Sequence, residues 1–264
     1  MRFEARLLLS HAAGLSIEEL IGRGDREAPP AVAETLRQLT ARRVAREPMA
    51  YVLGQREFWG LTFAVSPAVL VPRPDSETII EAALALMPDR QRTWRILDLG
   101  LGSGCLLLTL LHEFPAAVGV GLEASGAALT LAQANAHALG VDGRAHLMRG
   151  DWRQSGWQDA LGGPFDLLVS NPPYIPDAVV PDLMPEVSRF EPRLALEGGA
   201  DGLAAYRAIA RGAGPLVSPG GRVLLEAGEG QAAEIYDIFS RVGFEAEAPW
   251  KDLAGIDRVV SLKH

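Results

Sequence analysis

Residues 94–113 read WRILDLGLGSGCLLLTLLHE, which is an apolar run, a glycine-rich turn and a second apolar run. The first run, 94–99, is short and continuous, as is typical of a buried strand, and the second, 104–113, is long enough for a helix. Gly100, Gly102 and Gly104 let the chain turn sharply and bring backbone N–H groups close to a ligand. This stretch predicts the strand–turn–helix unit of an α/β fold.

The same alternation continues along the chain. Helices are expected at 76–87, 104–113, 125–138, 202–212 and 231–242, and strands at 94–99, 117–122, 145–148, 165–170, 221–227, near 244–249 and at 257–262. Strands that alternate with helices form a mostly parallel sheet with helices on both faces. Ligands bind such sheets at the carboxyl ends of the strands, where the strand order reverses.

The N-terminal quarter has a different pattern. Residues 1 to about 60 are predicted to be helical, with a capping box at Ser16 and Glu19. Residues 58–71 are predicted to form short strands, the last of them at 69–71, that make a hairpin ended by prolines. The proline-rich stretch from Ile175 to Gly199 exceeds the usual loop length and is expected to be functional.

Composition narrows the class of protein. The 264 residues carry 25 basic and 33 acidic side chains, a net charge of −8, and 48% are hydrophobic, which is typical of a globular chain. The acidic balance argues against a generic nucleic-acid binder. No apolar run approaches the ~20 residues of a membrane helix, and the first nine residues lack a signal-sequence pattern. We therefore expect a cytoplasmic protein that binds neither membranes nor nucleic acid.

Cysteine and histidine usage excludes other chemistry. With the single cysteine Cys105, the chain has no disulfide framework and no multi-cysteine metal site. The five histidines show no metal-ligand spacing, so no metal is expected. Because Cys105 begins an apolar helix, it is predicted to be a structural thiol rather than a nucleophile.

The turn after the first strand is a candidate cofactor loop. No Lys-Ser or Lys-Thr pair follows its glycines, which excludes a phosphate-binding P-loop. Dinucleotide folds favour G-x-G-x-x-G, whereas acidic-x-G-x-G-x-G is the pattern of S-adenosylmethionine sites. A purely structural glycine turn is the alternative. The candidate residues are Asp98, Gly100, Leu101, Gly102, Ser103 and Gly104.

Two more candidates follow the next strands. Glu123 ends the second strand, where its carboxylate can accept hydrogen bonds from both ribose hydroxyls of a nucleoside cofactor. That role suits nicotinamide cofactors and S-adenosylmethionine equally. After the third strand, Asp151 can meet an adenine amino group and Trp152 can cover the ring. A surface turn with a packed tryptophan is the alternative.

Asn171-Pro172-Pro173-Tyr174 directly follows strand 165–170, at the same edge of the sheet. The prolines lack N–H donors, so they end the strand pairing and leave carbonyls free. With the Asn171 oxygen and the Tyr174 ring, they offer acceptors and an aromatic surface to a planar –NH2 group. Such contacts can localise an amide lone pair toward a methyl donor. We predict Asn171, Pro172 and Tyr174 as catalytic, all four residues as substrate-binding, and Asn171 as a cofactor contact too.

Together these motifs resemble the release factor glutamine methyltransferases, the HemK-type protein-(glutamine-N5) methyltransferases. The matching segments are REFWG (56–60), VSPAVLVPRPDSE (65–77), ILDLGLGSG (96–104), VSNPPY (169–174), RFEP (189–192), LEGGADG (196–202) and DLAGIDRVV (252–260). The resemblance implies a Rossmann-like class I methyltransferase with a seven-stranded, mostly parallel sheet. Its expected parts are a helical substrate-recognition domain (1–57), a β-hairpin linker (58–74) and a methyltransferase domain (75–264).

The resemblance also implies a reaction. A methyl group would pass from S-adenosyl-L-methionine to the glutamine amide nitrogen of the Gly-Gly-Gln motif in class 1 peptide-chain release factors, leaving S-adenosyl-L-homocysteine. It places the glycine loop, Glu123 and Trp152 around the cofactor and Asn171 to Tyr174 around the glutamine. The protein is expected to act as a monomer. Two residues depart from the family pattern: Leu101 replaces the usual threonine, and Glu123 the usual aspartate.

Other functions share part of this pattern. Asn-Pro-Pro-Tyr also occurs in methyltransferases that act on adenine N6, on guanine N2 and on a ribosomal-protein glutamine. A nicotinamide-dependent oxidoreductase and a non-catalytic cofactor-binding protein are further alternatives. The acidic charge, the short helical first domain and the PRPDSE segment (72–77) favour release factors. Within PRPDSE, Arg73 has two equally favoured predicted roles, a salt bridge or a contact with the cofactor.

Overall fold

The computed structural model describes residues 2–23 and 26–264, leaving aside the side chains of residues 2 and 23. Its N-terminal part is helical, as expected, with α1 (Arg2–Ala13), α2 (Ile17–Arg23), α3 (Pro30–Val44) and α4 (Met49–Leu53). The predicted capping box at α2 is confirmed, because the Glu19 N–H donates to the Ser16 hydroxyl and the Ser16 N–H donates to the Glu19 carboxylate. Leu8, Leu39 and Val52 form the small core of this head.

A hairpin connects the head to the rest of the chain. Its strands, β1 (Gln55–Phe58) and β2 (Leu61–Ala64), pair antiparallel. The hairpin begins three residues before the predicted start at 58, so the predicted strand boundaries were wrong. It also ends at Ala64, and no strand forms at 69–71, in contrast to the prediction.

Prolines explain the missing strand. Pro67 and Pro72 flank this segment, and a residue without an N–H cannot donate to a strand ladder. Val69 and Val71 are instead buried in a small cluster with Tyr51 of the head. The Tyr51 hydroxyl donates to the Val69 carbonyl over 2.5 Å. The apolar pattern therefore reflects burial and not strand pairing.

The remainder of the chain alternates strands and helices, which confirms the predicted α/β fold. The elements are α5 (Glu77–Leu86), β3 (Arg95–Leu99), α6 (Cys105–Glu113), β4 (Val118–Glu123), α7 (Gly126–Ala138), β5 (Ala145–Arg149), β6 (Phe165–Ser170), α8 (Pro185–Ser188), α9 (Ala204–Ala213), β7 (Val217–Glu226), α10 (Ala232–Ser240), β8 (Glu245–Ala246), β9 (Trp250–Lys251) and β10 (Asp257–Lys263). The largest boundary difference among the predicted strands is at β7, which begins four residues before the predicted 221.

The sheet has the order β5-β4-β3-β6-β7-β10-β8. Strands β3 to β7 are parallel, and β10 inserts antiparallel beside β7. The outer neighbour of β10 is split into β8 and β9, with Pro249 in the gap. Within the described residues the sheet thus has seven strand positions, as predicted, the last one interrupted. The order reverses between β3 and β6, which makes their carboxyl ends the expected ligand position.

Both faces of the sheet are covered. Ile96 of β3 belongs to one buried cluster, and its neighbours Leu97 and Leu99 belong to another, because side chains alternate across a strand. The head also contacts the long loop after β6. Arg43 of α3 and Arg46, in the turn that follows this helix, donate to the two carboxylate oxygens of Glu186 over 3.0 and 2.6 Å. In the part of the chain that is described, no helix is long and apolar enough to cross a membrane.

Candidate active site

A cavity of about 540 Å³ opens at the carboxyl edge of β3, β4, β5 and β6. Its volume lies in the usual range of small-molecule sites. The residues that line it include Arg73, Ser76, Gly100, Leu101, Gly102, Ser103, Cys105, Glu123, Asp151, Trp152, Asn171 and Pro173. The cavity therefore lies at the point where the strand order reverses.

The glycine loop forms the floor of the cavity. Gly100 and Gly102 have φ angles of 79° and 56°, in the left-handed region that favours glycine. A Cβ on Gly100 would lie 2.6 Å from Cη2 of Trp152, so the loop also needs a bare backbone at this close approach. At Gly102 the nearest atom to such a Cβ would be 3.9 Å away. The backbone at Gly102 thus faces open space.

Glu123 holds this loop to the next strand. Its carboxylate accepts from the Gly102 N–H over 2.8 Å and from the Ser125 N–H over 2.7 Å. Each oxygen keeps a further lone pair, since a carboxylate offers about four acceptor positions. Glu123 also lines the cavity. The Glu123 side chain therefore bridges two loops while remaining able to accept from a ligand.

Asp98 lies beneath the loop and not on the cavity wall. It is 1% exposed, and its Oδ2 accepts from the Leu107 N–H over 3.3 Å. Its Oδ1 has no hydrogen-bond partner within the described residues. Burial raises the pKa of Asp98 to about 7, an effect that the Leu107 hydrogen bond opposes. Its placement gives Asp98 no direct cavity contact.

Asp151 and Trp152, which follow β5, both line the cavity. The Asp151 carboxylate accepts from the Arg153 side chain over 2.6 to 3.0 Å, and this pairing holds its pKa below the usual value. The Trp152 ring covers Gly100. A charged acceptor and an aromatic face thus stand together, as the predicted adenine contact requires.

A hydrogen-bonded network holds Asn171 on the opposite side. Its Nδ2 donates to the Ser76 hydroxyl over 3.0 Å, and that hydroxyl donates to Oε2 of Glu226. Ser76 and Glu226 are 2% and 1% exposed. Burial raises the pKa of Glu226, while the Ser76 and Tyr174 hydroxyls and the Arg258 charge oppose this effect. Asn171, at the end of β6, is therefore oriented by residues from two other parts of the chain.

Tyr174 is turned toward the same carboxylate. Its hydroxyl donates to Oε1 of Glu226 over 3.3 Å, and its ring packs near Gly228. Burial raises the pKa of the Tyr174 phenol. Tyr174 is not among the lining residues of the cavity. This orientation differs from the aromatic wall over the substrate that the sequence predicts.

The loop at 197–202 and the Gln231 side chain hold the backbone at Tyr174 and Ile175, at the end of the Asn-Pro-Pro-Tyr segment. The Gly198 N–H donates to the Ile175 carbonyl over 2.8 Å, and Gln231 Nε2 donates to the Tyr174 carbonyl over 3.1 Å. A Cβ on Gly198 would lie 2.9 Å from the Pro173 carbonyl oxygen. Gly198 is therefore required for this close packing of two backbones.

Two further side chains occupy the cavity wall. Arg73 donates to Glu191 over 2.6 Å, and Glu191 is buried, so the predicted salt bridge is present at a residue that also faces the cavity. Cys105 packs against the buried core, in line with the predicted structural thiol, but it is only half-buried and also lines the cavity. Burial raises its pKa to about 12, so the thiol stays protonated.

The structure thus brings most predicted site residues to one cavity. Among the described residues, those that line the cavity do not include Asp98, Gly104, Pro172 or Tyr174. Gly104 packs against helix α6, since a Cβ there would lie 2.7 Å from Cδ1 of Leu108. Sequence reasoning missed Ser76 and Glu226. A carboxylate at the end of the apolar strand GRVLLEA (221–227), at the same sheet edge as Asn171, was the signal available for Glu226.

Comparison with known proteins identifies the family. The family model described as PrmC N-terminal domain matches residues 1–54, and that of the Methyltransferase small domain matches 78–185. A crystal structure of a methyltransferase from Pyrococcus furiosus matches with a TM-score of 0.56 at 15% identity, covering 88% of this chain and 98% of that one. This likeness supports the class I methyltransferase fold.

Two similar proteins are both named release factor glutamine methyltransferase. The release factor glutamine methyltransferase of Bradyrhizobium diazoefficiens is 46% identical over 98% of this chain and 87% of its own length. That of Rhodospirillum rubrum is 44% identical over 97% of this chain and 77% of its own length. The similarity spans the head, the hairpin and the sheet with its cavity. The chain therefore belongs to the release factor glutamine methyltransferase family.

Proposed function

We propose that this chain is the enzyme that transfers a methyl group from S-adenosyl-L-methionine to the side-chain amide nitrogen of a release-factor glutamine. The target is the glutamine of the Gly-Gly-Gln motif in class 1 peptide-chain release factors, and its methylation modulates translation termination. The observation that carries this proposal is that Asn171 lines the same cavity as Glu123 and Trp152. An amide acceptor and a nucleoside-type pocket are thereby combined in one site.

The residues present fit S-adenosylmethionine. The open space at Gly102 leaves room for a ligand against the loop. The Glu123 carboxylate suits ribose hydroxyls, and Asp151 and Trp152 suit adenine. Oδ1 of Asp98, which has no hydrogen-bond partner among the described residues, adds negative potential beneath a cationic ligand when the carboxyl group is ionised. S-adenosylmethionine supplies an electrophilic methyl group on a sulfonium centre and leaves as S-adenosylhomocysteine.

Asn171 and Pro172 act on the glutamine amide. We propose that two acceptors bind its two N–H hydrogens, so that the nitrogen lone pair faces the methyl donor. They are the Asn171 Oδ1 and the backbone carbonyl of Pro172, a residue that does not itself line the cavity but lies between Asn171 and Pro173, which do. Preorganised acceptors of this kind lower the barrier because they need no rearrangement during the reaction. Correct positioning of the amide and polarisation of its nitrogen then suffice, with no covalent enzyme intermediate. The methylated nitrogen loses one of its two protons to solvent after the transfer. Tyr174 contributes through Glu226, since its hydroxyl faces that carboxylate.

The enzyme is proposed to act as a monomer. The head and the 175–199 loop are proposed to bind the release factor together. Support comes from the contact of Arg43 and Arg46 with Glu186, which joins these two regions beside each other. The partner would thus be recognised over a surface larger than the cavity.

Labelled-methyl transfer tests this function. The enzyme is incubated with labelled S-adenosylmethionine and an intact class 1 release factor, and in parallel with a release factor whose Gly-Gly-Gln glutamine is replaced by alanine. We expect label in the intact protein alone. Label in the substituted protein would contradict the proposal, as would label only in ribosomal protein or in nucleic acid supplied to separate reactions.

A further inference from the structure

The Asn171 side chain has two ends with opposite hydrogen-bonding character. The amide NH2 donates, and the carbonyl oxygen accepts. Acceptance of a substrate N–H requires the oxygen to face the substrate. A reversed amide would set its own N–H donors against those of the glutamine. Something in the protein must therefore select one of the two orientations.

The hydroxyl of Ser76 makes this selection. It has one proton, and that proton is donated to Oε2 of Glu226. The hydroxyl oxygen can then only accept a further hydrogen bond, and it accepts from Asn171 Nδ2 over 3.0 Å. Within the described residues, Ser76 is the one hydrogen-bond partner of the Asn171 side chain. The amide oxygen is left free for the cavity.

Glu226 is fixed in turn by its own partners. Its second oxygen, Oε1, accepts from the Tyr174 hydroxyl over 3.3 Å, so each carboxylate oxygen has one donor. The Tyr206 hydroxyl donates to the Glu226 backbone carbonyl over 2.7 Å, which anchors the end of β7. Ser76 and Glu226 are almost fully buried, which limits the water that could offer them other partners.

We propose that Ser76 is a positioning residue, which turns the Asn171 amide so that its oxygen faces the substrate glutamine, and that Glu226 fixes the Ser76 hydroxyl in its accepting role. The inference rests on the proposed function, since it concerns how Asn171 meets an amide. Ser76 lies in the turn before α5, Asn171 directly follows β6, and Glu226 ends β7. In the sequence, Ser76 is 95 positions from Asn171 and 150 positions from Glu226.

The test compares Ser76→Ala with Ser76→Thr, which keeps the hydroxyl. For Ser76→Ala we expect kcat to fall roughly 10- to 100-fold, because a misplaced reacting group costs up to about 100-fold. The dissociation constant for S-adenosylmethionine and the KM for release factor should stay within about threefold of the wild-type values. The reason is that the substitution changes the orientation of the Asn171 amide but leaves that side chain in place. Ser76→Thr should regain most of the lost kcat.

Ser261→Ala is the matched control. Ser261 is likewise buried and donates to a glutamate, Glu247, over 2.7 Å, but it lies in β10 away from the cavity. It should lower the melting temperature about as much as Ser76→Ala and leave kcat unchanged. Equal losses of kcat in the two alanine variants would overturn the inference, since the loss would then follow general stability.

The double variant distinguishes action through Asn171 from any other role. In an Asn171→Ala background, Ser76→Ala should change kcat by less than about twofold, because no amide remains to be oriented. A loss as large as in the wild-type background would overturn the inference, as would an unchanged kcat in Ser76→Ala alone. Failure of the proposed function is distinguishable, because the wild-type enzyme would then leave the release factor unlabelled.

Discussion

The two halves of the cavity are built in different ways. The cofactor half consists of the loops after β3, β4 and β5, and it is shaped by backbone turns and backbone N–H groups. The substrate half consists of the loop after β6, the end of β7 and the turn at 74–76, and it is shaped by side-chain hydrogen bonds. Each half has a buried carboxylate behind it. In the described part of the chain, both oxygens of Glu226 have donors, whereas one oxygen of Asp98 has none.

This difference indicates a division of labour. Backbone geometry can make a pocket for a ligand that is the same in every reaction cycle. A side-chain network can orient one amide against another, which is the step that distinguishes reaction from binding. Changes in the cofactor half should therefore alter affinity, and changes in the substrate half should alter the rate of transfer.

The largest effect is expected for Asn171→Ala. Removal of the acceptor should lower kcat roughly 10²- to 10³-fold, as for loss of one preorganised transition-state contact. The dissociation constant for S-adenosylmethionine, measured by calorimetry, should stay within about threefold. Near-normal turnover in this variant would contradict the claim that the substrate half of the cavity determines the transfer rate.

Gly100→Ala should disturb the packing of the cofactor half and weaken its binding of S-adenosylmethionine. The new Cβ would meet the Trp152 ring at 2.6 Å in a left-handed backbone position, so affinity for S-adenosylmethionine should weaken roughly 100-fold. Gly140→Ala is the control, since Gly140 also has positive φ, and no atom of the described residues lies within 4 Å of its Cβ position. It should cost about 1–2 kcal/mol of stability and leave the affinity unchanged. Equal affinities in the two variants would contradict the packing argument.

Asp98→Asn should remove the pH dependence of stability that the buried Asp98 carboxyl group causes. Because burial raises the pKa of Asp98 from 3.8 to about 7, its contribution to wild-type stability is lost as pH rises through that range. The variant does not titrate there. Its unfolding free energy relative to wild type should rise by roughly 2 kcal/mol between pH 5 and pH 7 in urea titrations. A difference that stays constant with pH would show that Asp98 has an ordinary pKa.

Glu123→Gln should have the smallest effect. The amide keeps one oxygen for the Gly102 or the Ser125 N–H but loses the other acceptor and the charge. Affinity for S-adenosylmethionine should fall about tenfold, in keeping with a lost hydrogen bond to a charged group. Equilibrium binding measures this loss, and an unchanged affinity would mean that Glu123 holds only the loop.

The sequence predicts the two halves unequally well. Around Gly100 the strand, turn and helix are consecutive, so local pattern suffices, and the predicted ends agree within about one residue. Asn171 is also predicted, because prolines mark the end of its strand. Its orientation is not, because Ser76 and Glu226 are brought to it by the tertiary fold. The strand expected at 69–71 fails for a related reason, since burial against Tyr51 produces the same apolar pattern as strand pairing.

The most direct test of this division is the transfer rate to release factor over a full titration of S-adenosylmethionine, with Glu123→Gln and Asn171→Ala side by side. The Glu123→Gln curve should shift to higher concentration and approach the wild-type maximum. The Asn171→Ala curve should saturate at the wild-type concentration with a maximum roughly 10²- to 10³-fold lower. Recovery of Asn171→Ala at high S-adenosylmethionine, or a maximum lowered equally in both variants, would contradict the account.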